Sequence, residues 1–210
     1  MQIERKKIIN INEYPDLALI QATELFYSGK VFIYPTDTIC GLGGNPFDKE
    51  VVKRITEIKG RNYSKQFIWL LSDLNNVMNY VEVVSSNHFE FMENLWPAPV
   101  TVILKLNDRT KEITNQETAA IRVPDEKFCQ KLLTEISRPL ISTSVNRSGG
   151  EPISNYDEIV KNFINEVDAI FYYSNQTETL SSTIVDLTSE KLKLIREGSI
   201  KFVELLQKFS

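Results

Sequence analysis

The chain has 210 residues, 42% of them hydrophobic, with a formal net charge of −4 and an isoelectric point near 5.2. This length is sufficient for one domain with its own hydrophobic core, so we predict a single domain over residues 1–210. An acidic chain does not attract nucleic acid or anionic membranes through its overall charge. A dedicated nucleic-acid-binding module is therefore disfavoured, and any polyanion site requires a local group of lysines and arginines.

The start of the chain, residues 1–7, is charged and leads into no apolar stretch of signal-peptide length. The longest apolar runs, residues 31–34 and 67–71, have the length of strands rather than membrane spans. Cys40 and Cys129 lie far apart and outside any paired metal-ligand spacing, which fits a reducing compartment. We therefore expect a cytoplasmic protein that spans no membrane and carries no metal-binding residues.

Helical and β-type patterns alternate along the chain. Residues 15–28 have helical apolar spacing and precede Gly29, residues 31–34 form a strand that Pro35 ends, and Asp48 is a suitable N-cap for a helix over residues 49–58. Further strands are predicted at 67–71, 100–106, 118–123, 140–143, 169–172, 183–187 and 192–195, and further helices at 73–80, 86–95, 125–136, 156–163 and 200–208. This mixture predicts an α/β domain around a mixed sheet.

Histidine occurs once, at His88, in a polar stretch typical of a helix start. Its sequence neighbours offer neither a nucleophile nor a metal ligand. We interpret His88 as a surface residue and expect no catalysis through histidine.

The segment after the second predicted strand is a candidate site. The strand ends at Pro35, Thr36 and Thr38 supply hydroxyls on either side of Asp37, and the glycines that follow permit close approach of the backbone to a ligand. The same residues are also typical of an ordinary turn in which Asp37 bonds its own backbone. Residue types alone leave both interpretations open.

Lys59 and Arg61 form a second candidate at the end of the second predicted helix. Two cations separated by Gly60 can converge on one phosphate chain, although the same charges also suit a solvated helix terminus. Neither a Walker motif nor a dinucleotide-binding glycine motif is present. A nucleotide site here is therefore not a P-loop.

Polar residues also stand at the boundaries of four later strands. Ser144 and Asn146 stand at alternate positions, so both side chains project to one side and could hold phosphate or ribose, unless they form only a hydroxyl-rich turn. Arg122 ends an apolar strand and requires an anionic partner, either a protein carboxylate or a substrate. Ser182 and Arg196 stand at strand boundaries in the same way, with a local acid as the alternative partner of Arg196.

Taken in order, these segments resemble the YrdC/TsaC family of threonylcarbamoyl-AMP synthases. The matching segments are Pro35 to Leu42, Lys59 with Arg61, Trp96 to Thr101, Arg122 to Pro124, Ser144 to Gly149, Ser182 to Asp186, and Arg196 to Gly198. Four positions depart from the family pattern: Cys40 replaces tyrosine, Gln66 replaces proline, Ala98 replaces glycine and Val145 replaces alanine. These departures bear on the shape of the pocket rather than on the reaction.

The resemblance implies a twisted, open mixed sheet flanked by helices, with a positively charged concave face. It implies threonine-binding roles for Thr36, Arg122 and Ser182, ATP-binding roles for Lys59, Arg61, Thr118, Ser144, Asn146, Ser154 and Arg196, and catalytic roles for Lys59 and Arg61.

The implied reaction forms threonylcarbamoyl-adenylate and pyrophosphate from L-threonine, bicarbonate and ATP, with Mg²⁺ accompanying ATP, for modification of tRNA adenosine. The implied partner is a downstream tRNA threonylcarbamoyl transferase complex, with weak or no direct binding of tRNA. Nucleophile and leaving group are both anions, which explains a site rich in cations and donors.

Two other functions fit these motifs. An RNA-binding module with a YrdC-like fold would bind RNA in a salt-dependent manner without turnover. A YciO-like paralogue, or a carbamoyl-transfer domain of the kind used in hydrogenase maturation, would carry out different chemistry on the same fold. The intact segment 144–149 favours the synthase, although fold resemblance alone does not decide.

Overall fold

The computed structural model describes residues 7–60, 66–83, 85–174 and 180–209, in which one ten-stranded sheet is flanked by helices. The strands are β1 Ile8–Asn10, β2 Phe32–Tyr34, β3 Gly41–Gly43, β4 Ile68–Leu70, β5 Val100–Lys105, β6 Thr118–Arg122, β7 Leu140–Ser144, β8 Ala169–Tyr172, β9 Thr183–Asp186 and β10 Lys193–Arg196. The helices are α1 Pro15–Tyr27, α2 Lys49–Lys59, α3 Leu74–Met78, α4 Ser86–Leu95, α5 Asp108–Thr114, α6 Lys127–Ile136, α7 Tyr156–Phe163 and α8 Phe202–Phe209.

The strand order across the sheet is β1-β8-β2-β3-β7-β4-β6-β5-β9-β10. The pairs β1/β8, β2/β8, β4/β6 and β5/β9 are parallel, and the other neighbouring pairs are antiparallel. The predicted mixed sheet with flanking helices is therefore confirmed.

Local sequence explains where the first two helices begin and end. Helix α1 is followed by Gly29 at a φ of 64°, and the Lys30 amide donates to the Leu25 carbonyl at 2.9 Å, which closes the helix end in a Schellman motif. The Asp48 carboxylate accepts from the amides of Glu50 and Val51, as an N-cap does. The predictions that Gly29 ends α1 and that Asp48 caps α2 are thus confirmed.

Strand alternation gives the sheet two different faces. The cavity face carries Ser142, Ala120 and Arg122, and the packed face carries Ile141 and Trp69, their alternate neighbours in the same registers. Helices α2 and α7 cover one half of the packed face, and α4 and α8 cover the other half. On the cavity face, α1 and α6 cover only the half around β2 and β8. The other half carries the cavity described below.

His88 is buried, with 1% of its surface exposed, so the prediction of a surface residue is wrong. His88 begins an i, i+3, i+4, i+7 stripe on α4 with Phe91, Met92 and Leu95. Helix α8 covers this stripe, and the Phe209 ring lies 6.0 Å from the His88 ring between centroids. The polar residues that precede His88 concealed its place on the apolar face.

Three elements, β1, β3 and α5, were not predicted. Strand β3 has the sequence Gly-Leu-Gly, which has little intrinsic preference for a strand. It forms because β2 and β7 pair with it on either side.

Among the described helices, none has the length and apolar character needed to cross a membrane.

We expect Gly43→Ala to destabilise the protein by about 1–3 kcal/mol or more, because the sheet has no room for a side chain there. An added Cβ would lie 1.9 Å from the Ile141 carbonyl oxygen and 2.9 Å from a Tyr34 ring carbon. The measurement is the free energy of unfolding in urea. Gly150→Ala is the control, since its Cβ meets only the Arg147 carbonyl oxygen at 3.3 Å. Equal unfolding midpoints for the two variants would contradict the close packing of β3 on β7.

Candidate functional site

A cavity of about 350 Å³ opens on the cavity face, across strands β7, β4, β6, β5 and β9. Its wall combines hydroxyl groups, two guanidinium groups and a few apolar side chains. The lining residues are Thr38, Ile39, Cys40, Gln66, Phe67, Ile68, Ile103, Ala120, Arg122, Ser142, Thr143, Ser144, Ser181, Ser182, Ile184, Ile195 and Arg196. Four of the predicted site residues, Arg122, Ser144, Ser182 and Arg196, therefore lie around one space.

Arg122 is buried, and the turn after β2 surrounds its guanidinium. Its Nη1 donates to Thr38 Oγ1 at 2.7 Å, and its Nη2 donates to Thr36 Oγ1 at 3.3 Å. Thr36 Oγ1 also accepts from the Thr38 amide at 3.0 Å and donates to the Ile39 carbonyl at 2.9 Å. Thr36 thus shapes the turn and orients Arg122, whereas Thr38, to which the sequence analysis assigned no ligand, lines the cavity itself.

Asp37 supplies the negative charge beside Arg122. Its Oδ1 lies 3.5 Å from Arg122 Nη2, and only 3% and 8% of the two side chains are exposed. Both Asp37 carboxylate oxygens and Arg122 Nε are buried without a hydrogen-bond partner in the described part of the chain. The interpretation in which Asp37 bonds its own backbone is therefore wrong. Arg122 retains donor capacity that its protein partners do not use.

Ser182 and Arg196 form the opposite wall. Ser182 Oγ lies 2.9 Å from Thr101 Oγ1, and Arg196 Nη2 donates to the Ser182 carbonyl at 2.9 Å. Partial burial, and then the positive charge of Arg122, lower the pKa of Arg196. The two guanidinium groups therefore repel each other. An anion bound between them would relieve this repulsion.

The close approach of β10 to this wall depends on Gly198. A Cβ at that position would lie 2.2 Å from the Ser181 carbonyl oxygen and 2.6 Å from the Ser182 carbonyl oxygen. The Gly198 amide donates to Thr183 Oγ1 at 3.0 Å. A side chain here would push the Ser182 backbone out of place.

Lys59 connects the end of α2 to the end of β7. Its Nζ donates to the Ser144 carbonyl at 2.5 Å and to Asn146 Oδ1, with Ser144 Oγ at 3.3 Å. Ser144 Oγ in turn donates to Asn146 Oδ1 at 2.7 Å. The structure thus brings three predicted nucleotide-binding residues into one network beside the cavity, and Lys59 is buried rather than a solvated helix end.

The remaining predicted nucleotide residues are less central. Thr118 lines a neighbouring cavity of about 490 Å³ that shares Gln66 and Phe67 with the first. Ser154 lies between β7 and α7, next to Ile153, whose amide donates to the Val145 carbonyl at 2.9 Å. Arg61 lies outside the described residues.

Arg147, the cation of the segment 144–149, points away from the cavity. It forms an ion pair with Glu166, donates to the Ile58 carbonyl, and its guanidinium carbon lies 5.0 Å from the centre of the Phe163 ring.

Sequence reasoning missed Thr101, whose place opposite Ser182 follows from the pairing of β5 with β9. The pairing of β5 with β9 cannot be predicted from a single sequence.

The described residues contain no group of three or more His, Cys, Asp or Glu side chains arranged to hold a metal ion.

Comparisons with known proteins identify the family of the chain. The Sua5/YciO/YrdC family model, described as telomere recombination, matches residues 24–198. A protein named as a putative threonylcarbamoyl-AMP synthase of Methanocaldococcus jannaschii is 29% identical over 96% of this chain and 97% of its own length.

Two solved structures share the fold. E. coli YciO has a TM-score of 0.80 and 28% identity, covering 92% of this chain and 93% of its own. P. abyssi Sua5 complexed with L-threonine has a TM-score of 0.84 and 25% identity over 96% of this chain. The chain spans only 59% of that Sua5 chain. Because the family model covers most of its length, the chain belongs to the Sua5/YciO/YrdC family.

Proposed function

We propose that the chain is a threonylcarbamoyl-AMP synthase, which forms threonylcarbamoyl-adenylate and pyrophosphate from L-threonine, bicarbonate and ATP. The observation that carries this proposal is the convergence of Arg122 and Arg196 on one hydroxyl-lined cavity, beside the Lys59 network. The similarity to a protein named as such a synthase and to a Sua5 structure that contains L-threonine supports it.

Threonine is assigned to the end of the cavity around Arg122. Its carboxylate would accept hydrogen bonds from the donors of Arg122 that the protein leaves unused. Thr36 would keep the guanidinium in place, and Ser182 faces the same space from β9. The apolar side chains of Ile39 and Ile184 supply a wall for the threonine methyl group.

ATP is assigned to the network of Lys59, Ser144 and Asn146 beside β7, and to Arg196 across the cavity on β10. Thr118, Ser154 and Arg61 are proposed as further contacts of the nucleotide, with Lys59 and Arg61 as catalytic cations. Mg²⁺ would enter with ATP as part of the substrate, held by the triphosphate. Cations and oriented donors are what a displacement at phosphorus requires, since charge neutralisation and in-line positioning account for most of its catalysis.

The reaction follows from these assignments. The threonine amine and bicarbonate give a carbamate and water. A carbamate oxygen then attacks the α-phosphorus of ATP, a new P–O bond forms, and the bond to the β-phosphate breaks to release pyrophosphate. Lys59 and Arg196 would stabilise the negative charge that develops on the phosphates. No protein nucleophile is needed, which agrees with the packing of His88 under α8, away from the cavity.

The product would pass to a downstream tRNA threonylcarbamoyl transferase complex in the cytoplasm, with weak or no direct binding of tRNA by this chain. A YciO-like activity is the second candidate, because E. coli YciO matches nearly the full length of both chains.

We expect pyrophosphate release from ATP to require both L-threonine and bicarbonate, because the carbamate is the nucleophile and neither substrate alone provides it. L-Serine should be a slower substrate, since one methyl group in an apolar pocket contributes only about 1–3 kcal/mol of selectivity. The measurement is a coupled pyrophosphate assay with each substrate omitted in turn. Release at the full rate without threonine would overturn the proposal. No release under any combination would also overturn it, and is the result expected of an RNA-binding module.

We expect Arg122→Lys to raise the KM for L-threonine at least tenfold, a loss of about 1.4 kcal/mol. Lysine retains the charge but cannot reproduce the planar set of donors that reaches Thr36 and Thr38. Steady-state kinetics with threonine varied provide the measurement. Arg54→Lys is the matched control, because Arg54 pairs with Asp168 at 2.5 Å away from the cavity. An unchanged KM in Arg122→Lys would remove Arg122 from the threonine site.

We expect Lys59→Met to lower kcat on the order of a hundredfold, equivalent to about 3 kcal/mol of transition-state stabilisation. Methionine retains an unbranched stem but loses the charge and the contacts with Ser144 and Asn146. Lys53→Met removes a charge from the exposed side of the same helix and serves as the control. Equal kcat values in the two variants, with both folded by circular dichroism, would show that Lys59 only supports the fold.

A further inference from the structure

A second pocket with two cations lies on the packed side of the sheet. Its volume is about 440 Å³, within the range of about 300–1,000 Å³ typical of small-ligand sites. The lining residues are Phe47, Asn79, Tyr80, Arg109, Thr110, Ile113 and Arg138, and none of them lines the cavity around Arg122.

Strand alternation separates the two pockets. Phe47 packs edge-on against Trp69, with ring centroids 5.5 Å apart. Trp69 belongs to the packed face, whereas its neighbour Ile68 lines the cavity around Arg122. The pocket beside Phe47 is therefore reached from the other side of the sheet.

The two cations of this pocket have no counterion among the described residues. Arg109 comes from α5 and Arg138 from the turn between α6 and β7, and both are exposed. Neither forms a hydrogen bond or an ion pair in that part of the chain, although Arg138 lies 5.9 Å from the centre of the Tyr27 ring. No Asp or Glu lines the pocket. Two positive charges that line one pocket without an acid attract an anion.

Tyr80, Arg109 and Arg138 line the same pocket, although they come from separate elements. Burial raises the pKa of the Tyr80 hydroxyl, and the charges of Arg138 and Arg109 act in the opposite direction.

The same pocket has a flat aromatic wall. The Phe47 and Tyr80 rings are stacked, with centroids 5.9 Å apart and planes inclined by 29°. Both rings are half-buried, so part of each remains available to a ligand. Aromatic rings beside arginines are a common receptor for nucleobases with their phosphates.

Asn107 holds the walls of the pocket together before any ligand arrives. Its side-chain amide donates to the Asn79 carbonyl at 2.9 Å, and its backbone amide donates to the Tyr80 carbonyl at 3.0 Å. Its Oδ1 accepts from the Thr110 amide at 3.0 Å and so caps α5. The aromatic wall and the helix that carries Arg109 are thus fixed relative to each other, which lowers the cost of binding.

We propose that this pocket is a second nucleotide site, which binds a nucleoside monophosphate with its phosphate between Arg109 and Arg138 and its base against Phe47 and Tyr80. The proposal does not depend on the reaction at the first cavity, because the ligand is bound and not turned over.

The test is isothermal titration calorimetry of the full chain with AMP. We expect the variant Arg109→Gln/Arg138→Gln to bind one AMP fewer per chain than the wild type, or to bind the second AMP at least tenfold more weakly. Adenosine, which lacks the phosphate, should bind this site more weakly than AMP. Both arginines are exposed, so the melting temperature should stay close to that of the wild type.

Lys127→Gln/Lys131→Gln is the matched control, because it removes two exposed positive charges from α6 and should retain both AMP sites. Identical AMP binding in the wild type and the arginine variant would overturn the proposal. A rise in the KM for ATP in that variant would also overturn it, since the arginines would then belong to the substrate site. Equal loss of binding in the lysine control would show that only the overall charge matters.

Discussion

The site depends on one guanidinium buried in the middle of a sheet. A charge removed from water is costly unless opposite charge and hydrogen bonds replace the lost solvation. Arg122 meets this requirement through the turn after β2, which supplies the Asp37 carboxylate and the hydroxyls of Thr36 and Thr38. Three strands separate that turn from β6 in the sheet. The interaction therefore fixes two distant parts of the sheet at the distance that the cavity requires.

The uneven cover of the sheet decides where this guanidinium can serve a ligand. Helices cover both halves of the packed face, whereas α1 and α6 cover only half of the cavity face. The free half carries small or hydroxylated side chains, such as Ala120, Ser142 and Ser144, where a packed sheet would carry large apolar ones. Space for a substrate therefore comes from the choice of residues in the middle of strands. Loops at the strand ends contribute Thr38 and Ser182 to the rim.

Sequence patterns predicted the elements with strong local signals and missed those that depend on tertiary contacts. Capping residues such as Asp48 and the glycine after α1 are local, and their helices end close to the predicted positions. Strand β3 exists only through its neighbours, and His88 is buried only because α8 folds over it. In the site, the family motifs pointed to Arg122 and Ser182, whereas the role of Thr101 depends on a pairing between strands about 80 residues apart in sequence.

The arginines of this acidic chain differ in whether a carboxylate of the protein pairs with them. Away from the two pockets, Arg54 and Arg147 pair directly with the carboxylates of Asp168 and Glu166, so their charges are used within the fold. Arg196, at the first cavity, donates to a backbone carbonyl, and its positive charge is repelled by that of Arg122. The net charge of the chain sums paired and unpaired arginines alike, so it does not indicate either pocket. What identifies an anion site here is a local convergence of cations that the fold itself leaves without equal negative charge.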